Sequence, residues 1–110
     1  MVCTDFTVLQ LSMISPTGIS VKDSDLVDKT ECHTGEHVQI WIVFRNDSPT
    51  AGVADCVLTI TGPMPGSSSQ TPFSVMVPGD RVSDYGPCYW TPAIAGSYTI
   101  CVEVTGQRPA

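Results

Sequence analysis

The chain has 110 residues, of which 42% are hydrophobic and 15% charged, enough for one domain with one hydrophobic core over residues 1–110. Eleven acidic residues against five scattered basic ones give a net charge of −6, so we expect no binding to nucleic acid or to an anionic membrane. No apolar run approaches the roughly 20 residues of a membrane-spanning helix, and residues 1–5 lack the basic and apolar regions of a signal peptide.

Turn signals separate short stretches rich in Val, Ile, Thr and aromatic residues, a pattern typical of all-β proteins. In chain order the pattern predicts strands over residues 6–14, 37–46, 53–61, 73–77, 81–90 and 97–104, with a short extended piece over residues 19–22. Between them it predicts a turn at 15–18, a polar loop at 23–35, a flexible loop at 62–72 and a hairpin loop at 91–96. The fold class is therefore predicted as all-β, a β-sandwich of six to seven antiparallel strands.

Alternation along the predicted strands assigns side chains to the core. The inward-facing residues of the three clearest strands are Val38, Ile40, Ile42 and Phe44, then Ala54, Cys56, Leu58 and Ile60, and finally Tyr98, Ile100, Val102 and Val104. Cys88 and Trp90 share an inward parity in the strand over residues 81–90, where Pro87 indicates an edge position or a bulge. Trp41 and Val43 point the other way, so Trp41 either anchors a protein contact or is covered by another segment.

Three segments resemble a known family: IWIVFRNDSPTAG over residues 40–52, VMVPGD over 75–80, and YWTPAIAGSYTICVEV over 89–104. Their order is similar to that of the adhesion-related immunoglobulin-like domains of bacteria and archaea called CARDB-like, over about residues 5–104. The resemblance implies an immunoglobulin-like β-sandwich. In that family a further strand usually follows, whereas residues 105–110 are too short and too limited by proline to complete a sheet. Two alternatives follow: a neighbour fills an open edge with a strand such as residues 6–14, or the sandwich has six strands and a short edge.

The cysteines and histidines give no motif for a metal or a cofactor. Cys56 and Cys88 either form a disulfide between the sheets or pack as small apolar groups, and no CxxC pair exists. The cluster of Cys32, His33 and His37 is interpreted as a surface loop. The acidic residues 23–31 lack the spacing of an EF-hand and are interpreted as a solvated loop rather than a calcium site.

Catalytic motifs such as G-x-S-x-G, HExxH and the P-loop are missing from the sequence, so we expect no enzyme. We expect the chain to bind other protein subunits, either copies of itself or a shell or filament protein, within an oligomeric assembly. The candidate interface residues are Phe6, Val8, Leu9, Leu11, Trp41 and Val43.

Two settings are consistent with these expectations, and we prefer the first, with the second as the alternative. An initiating Met without a signal peptide, small size and low charge favour a capsid cement or decoration protein on a virion surface. The family resemblance, the five cysteines and the missing final strand favour an extracellular adhesion or pilus-type subunit that assembles by strand complementation. A carbohydrate-binding module is less well supported, because it would need an exposed aromatic row and only Trp41, Tyr85 and Tyr89 are available.

Overall fold

The computed structural model describes residues 2–4 and 13–110. Within them lie six strands and one short 3-10 turn at Pro65–Ser67. The strands are β1 (Ile14–Lys22), β2 (Val38–Asn46), β3 (Gly52–Thr61), β4 (Ser69–Val77), β5 (Val82–Trp90) and β6 (Thr99–Pro109). They form two antiparallel three-stranded sheets, in the orders β1-β2-β5 and β4-β3-β6, which confirms the prediction of an all-β sandwich.

The core lies between the two central strands, β2 and β3, because each is flanked by neighbours on both sides. Every second residue of these strands is buried, and the inward rows predicted from the alternation are confirmed. The rows are Val38, Ile40, Ile42 and Phe44 in β2, and Ala54, Cys56, Leu58 and Ile60 in β3. Ile14 of β1 and Val75 and Val77 of β4 complete the set of buried apolar residues.

The start of β1 differs from the prediction. Residues 5–12 of the predicted first strand lie outside the described residues, but residues 15–18 do not end a strand as expected. β1 continues through them, with an irregularity in register between Pro16 and Gly18. Proline is tolerated here because β1 is an edge strand and the irregularity absorbs the residue that does not pair.

The predicted flexible loop at residues 62–72 is shorter than expected. It contains the 3-10 turn, and β4 already begins at Ser69 and pairs with β3 along its whole length. Pro72 lies inside β4 opposite Val57. A proline is compatible with this strand because β4 forms an edge of its sheet.

The Gly86-Pro87 step in β5 behaves as predicted. β5 is an edge strand, and its register with β2 shifts between Ile40 and Ile42, opposite this step. Gly86 has φ of 152°, and a Cβ there would lie 3.0 Å from both the Ile40 carbonyl oxygen and the Trp41 ring. The positive φ and this close approach together favour glycine at this position.

Two predictions about the C-terminal part are wrong. Residues 91–96 do not form a hairpin, because β5 and β6 belong to different sheets and the segment crosses between them. The last strand is predicted to end at residue 104, yet β6 runs to Pro109, so residues 105–109 lengthen this strand and add no further one. The extension pairs with the first residues of β3, and the register shifts between Asp55 and Cys56 to accommodate it. Arg108 binds the Asp55 carboxylate on the outer face of this extension.

Candidate functional site

The sandwich has two flanks, where an edge strand of one sheet meets an edge strand of the other, and they differ. At the flank between β4 and β5, the rings of Phe73 and Tyr85 stack with centroids 4.4 Å apart and planes 11° apart. Phe73 also packs edge-on against the buried Phe44 ring, with the two ring centroids 6.2 Å apart. These two rings bridge the two sheets and pack against the core, so we call the flank between β4 and β5 closed, although both rings are half-buried.

The flank between β1 and β6 is open. Its inward-facing side chains, Ile19 and Val21 from β1 with Ile100, Val102 and Val104 from β6, define what we call the β1–β6 groove. Ile19 is 37% exposed although its partner in β2, Ile42, is 0% exposed. The apolar core therefore reaches solvent along this flank.

The same contrast holds within the second sheet. Cys56, Leu58 and Ile60 of β3 are 2–5% exposed. Their partners across the ladder, Val104, Val102 and Ile100 of β6, are only partly buried although they face the same core. Since burial of an apolar side chain stabilises a protein by roughly 1.5–3 kcal/mol, a strand laid beside β6 would gain from covering this row.

The edge of β6 supplies hydrogen-bonding groups for such a strand. In the part of the chain that the structure describes, β6 pairs with β3 on one side and has no strand partner on the other. A free edge of this kind presents a row of backbone N–H and C=O groups that another strand can pair with. The groove thus combines an apolar floor with a pairing edge.

The two ends of the β1–β6 groove differ. At one end, the Gln107 side chain accepts a hydrogen bond from the Ile14 N–H at 2.9 Å and donates one to the Ile14 carbonyl at 3.0 Å. Gln107 faces inward opposite Ala54, so its amide closes the groove as a strand partner would. At the other end, Val21 and Ile100 line an open cavity of about 590 Å³.

An aromatic pair lines this cavity. The Trp90 and Tyr98 rings meet edge-to-face with centroids 4.9 Å apart. The Tyr98 hydroxyl donates a hydrogen bond to the carbonyl of Ile94. Trp90 packs against the core, as its predicted inward parity requires. Cys32 and His33 also line this cavity.

The predicted interface residues of β2 lie on the outer face of the first sheet. Trp41 is half-buried, because its ring packs over Gly86 and its Nε1–H donates to Gln39 Oε1 at 3.1 Å. Val43 is half-buried beside it, and Tyr89, opposite Gln39, is 77% exposed. The structure does not join this outer face to the β1–β6 groove. The other predicted interface residues, Phe6, Val8, Leu9 and Leu11, lie outside the described residues.

Cys56 and Cys88 face the interior from opposite sheets, as predicted, and both are free thiols in this structure. The disulfide between them stays a prediction. Burial, followed by the nearby charge of Asp55, raises the pKa of Cys56 to about 11, and burial also raises the pKa of Cys88. Both thiols are therefore protonated near neutral pH and poorly suited to act as nucleophiles.

The acidic loop between β1 and β2 binds the chain's own donors. Asp23 Oδ1 accepts hydrogen bonds from the backbone N–H groups two and four residues further on, at 2.9 and 3.1 Å. The bond from Val27 is the main reason why the pKa of Asp23 is lowered. The Lys29 Nζ lies 3.7 Å from Asp23 Oδ2, and the Lys22 Nζ donates a hydrogen bond of 2.6 Å to Asp28 Oδ1. These contacts are those of a solvated, self-paired loop.

The cluster of Cys32, His33 and His37, interpreted from the sequence as a surface loop, lies in the segment between β1 and β2. His37 Nδ1 lies 2.6 Å from the Thr91 hydroxyl, which gives this ring a partner other than a metal. Among residues 2–4 and 13–110, no three His, Cys, Asp or Glu side chains are grouped so that they could hold a metal ion. The same residues include no helix long and apolar enough to cross a membrane.

No family model, no curated protein and no solved structure matches this chain. The candidate site is therefore defined by its geometry: the β1–β6 groove, the free edge of β6 and the cavity at one end. Sequence reasoning identified the alternation that turns Ile100, Val102 and Val104 inward, but it missed Gln107 and the closing pair Phe73 and Tyr85. The inward parity of Gln107 becomes visible only when β6 is known to continue beyond Val104.

Proposed function

We propose that this chain is a non-catalytic structural protein that binds other protein subunits, copies of itself among them, through the β1–β6 groove. The difference between the two flanks carries this proposal. Aromatic stacking covers the core between β4 and β5, whereas the apolar row between β1 and β6 lies beside a free strand edge. An extended segment from another chain would satisfy both the backbone groups and the apolar row, which is the mode known as strand addition.

From the strand order we infer an immunoglobulin-like sandwich, and the CARDB-like resemblance stays a prediction. The sheets β1-β2-β5 and β4-β3-β6 correspond to strands A-B-E and C′-C-F of an immunoglobulin sandwich. In that arrangement the last strand, G, lies beside F, which is the position next to β6. The hydrogen bond from Tyr98, at the start of β6, to the carbonyl of Ile94 has the form of the tyrosine corner found at this place.

Two settings use such a surface, and both belong to the proposal. In a capsid decoration protein on a virion, the groove would hold subunits together in a small closed oligomer on the shell. In an extracellular adhesion or pilus-type subunit, each molecule would complete the sheet of the next one. The open β6 edge favours the second setting, because strand complementation requires it.

Size-exclusion chromatography with light scattering, over a wide range of concentrations and with and without reductant, tests the proposal. We expect masses above the 11.7 kDa of one chain that rise with concentration and do not depend on reductant. A ladder of open polymers would identify the filament setting, and one small closed oligomer the capsid setting. A mass of 11.7 kDa at every concentration would contradict the proposed self-association.

A further inference from the structure

We propose that the occupant of the β1–β6 groove is the segment of residues 5–12 from a second copy of this chain, added as a strand to the free edge of β6. This inference rests on the proposed function, since it requires that the groove binds protein. It goes further by naming the partner and the segment.

The segment suits the groove in length and composition. Eight residues in an extended strand span about 26 Å, and the eleven residues of β6 span about 36 Å. The segment reads DFTVLQLS, with Asp5 as its one charged residue and four large apolar side chains. Because alternate residues of a strand face opposite ways, the segment has two apolar rows: Phe6 with Val8, and Leu9 with Leu11. One row would lie on the apolar floor of the groove.

The position of β1 disfavours the same segment of the same chain as the occupant. Ile14 is fixed at the closed end of the groove by Gln107, and the Met13 carbonyl accepts the N–H of Asp47 at 3.0 Å. To lie along its own β6, the chain would have to reverse just before Met13. A reversal uses at least two residues, so residues 5–10 would reach only about 20 Å along the edge.

Strand direction points the same way. Ile14 contacts Gln107 at one end, whereas Val21 and Ile100 line the cavity at the other, so β1 and β6 run in opposite directions across the flank. A segment folded back from Ile14 would therefore run parallel to its own β6. A segment from a second copy can run antiparallel, which is the slightly more stable pairing.

The described residues before the segment are free of the sandwich. Val2 is 98% exposed, and residues 3 and 4 are exposed as well. In the proposed contact one copy donates its N-terminal segment, and the next copy accepts it with its β1–β6 groove. Because the two copies use different surfaces, the contact is head-to-tail. Such a contact produces open chains of subunits unless the rotation closes a ring.

Two full-length double variants test the inference, each the control for the other. Phe6→Asp with Val8→Asp places carboxylates in one row, and Leu9→Asp with Leu11→Asp places them in the other. We expect light scattering to give the monomer mass for one variant and the wild-type mass distribution for its counterpart, because only one row meets the groove. Thermal unfolding followed by circular dichroism should show that both variants remain folded.

A second measurement tests the acceptor directly. A fluorescent peptide with the wild-type sequence of residues 4–13 should bind the monomeric variant in a saturable way. A control peptide that carries the two aspartates of that monomeric variant should bind at least about tenfold more weakly. Wild-type assembly by both variants, with no peptide binding, would overturn this inference but leave the proposed function intact. A second result would overturn this inference: the wild-type protein is monomeric, and both double variants are less stable than the wild type. The segment would then serve its own chain, and the proposed self-association would be contradicted as well.

Discussion

Asn46, the last residue of β2, offers the sharpest stability test because it is buried and joins three parts of the sandwich. Only 1% of the residue is exposed. Its side-chain amide donates hydrogen bonds to the carbonyls of Thr50 at 3.0 Å and Val77 at 3.1 Å, and its oxygen accepts the Ser48 N–H at 2.9 Å. Its oxygen also accepts a longer bond of 3.4 Å from the N–H of Met13, at the entrance to β1.

Replacing Asn46 with Ala removes the three shorter bonds at once. At about 1 kcal/mol for each buried hydrogen bond, we expect the free energy of unfolding to fall by about 3 kcal/mol. Urea unfolding followed by tryptophan fluorescence, at one fixed protein concentration, measures this change. Gln70→Ala, on the exposed edge of β4, is the control and should change stability by less than about 0.5 kcal/mol. A loss for Asn46→Ala no larger than that of the control would refute the reasoning.

Three further predictions concern a glycine, a buried cysteine and an ion pair. Gly79→Ala should lower the free energy of unfolding, measured with urea, by about 2 kcal/mol or more, because the new Cβ would lie 2.1 Å from the Pro49 carbonyl oxygen. Gly66→Ala is the control: a Cβ there meets nothing within 4 Å, so the free energy of unfolding should hardly change. In the native protein at pH 8, mass spectrometry should find Cys101 alkylated by iodoacetamide well before Cys56, whose pKa is raised to about 11; equal rates would contradict the burial of Cys56. The hydrogen bond from the Arg108 guanidinium is the main cause that lowers the pKa of Asp55. A carboxylate with a lowered pKa stabilises the fold at pH values above its ordinary pKa of 3.8, and this contribution is lost as the pH falls below that value. Asp55→Asn should therefore flatten the acid limb of the stability curve, and an unchanged limb would count against this ion pair.

The sequence predicted the centre of the sandwich well, and physical reasons explain this. β2 and β3 are flanked on both sides, so their inward rows are apolar apart from Asn46 at the end of β2, and their alternation is strict. The irregularity at Pro87 could also be anticipated, because a proline within a strand is accommodated only at an edge, at the first residue or at a bulge. These features depend on local chemistry that the sequence records directly.

The edges were predicted poorly, because an edge strand tolerates what a central strand excludes. Prolines at positions 16 and 72 indicated turns, yet they lie inside edge strands where one side of the ladder is free. The sheet to which each strand belongs was also hidden, so residues 91–96 were expected to form a hairpin although they cross between sheets. The candidate site depends on these edges, and the sequence left two alternatives: an open edge filled by a neighbour, or a six-stranded sandwich with a short edge.

The groove itself depends on long-range geometry. Gln107 meets Ile14, 93 positions away in the chain, and Phe73 stacks on Tyr85 across two different sheets. The partners in each contact are brought together only by the arrangement of the strands in the two sheets. The asymmetry between the closed and open flanks, which supports the proposed function, therefore required the structure.

Amide hydrogen exchange along β6, resolved residue by residue by NMR, tests the central claim most directly. At a concentration where light scattering gives a monomer, the alternate amides of β6 that point away from β3 should exchange rapidly, while those bonded to β3 should exchange slowly. When the protein assembles, the rapid set should become slow as a neighbour pairs with the edge. Amides that stay rapid in the assembly, or that are already slow in the monomer, would contradict the claim that β6 offers a free edge to another chain.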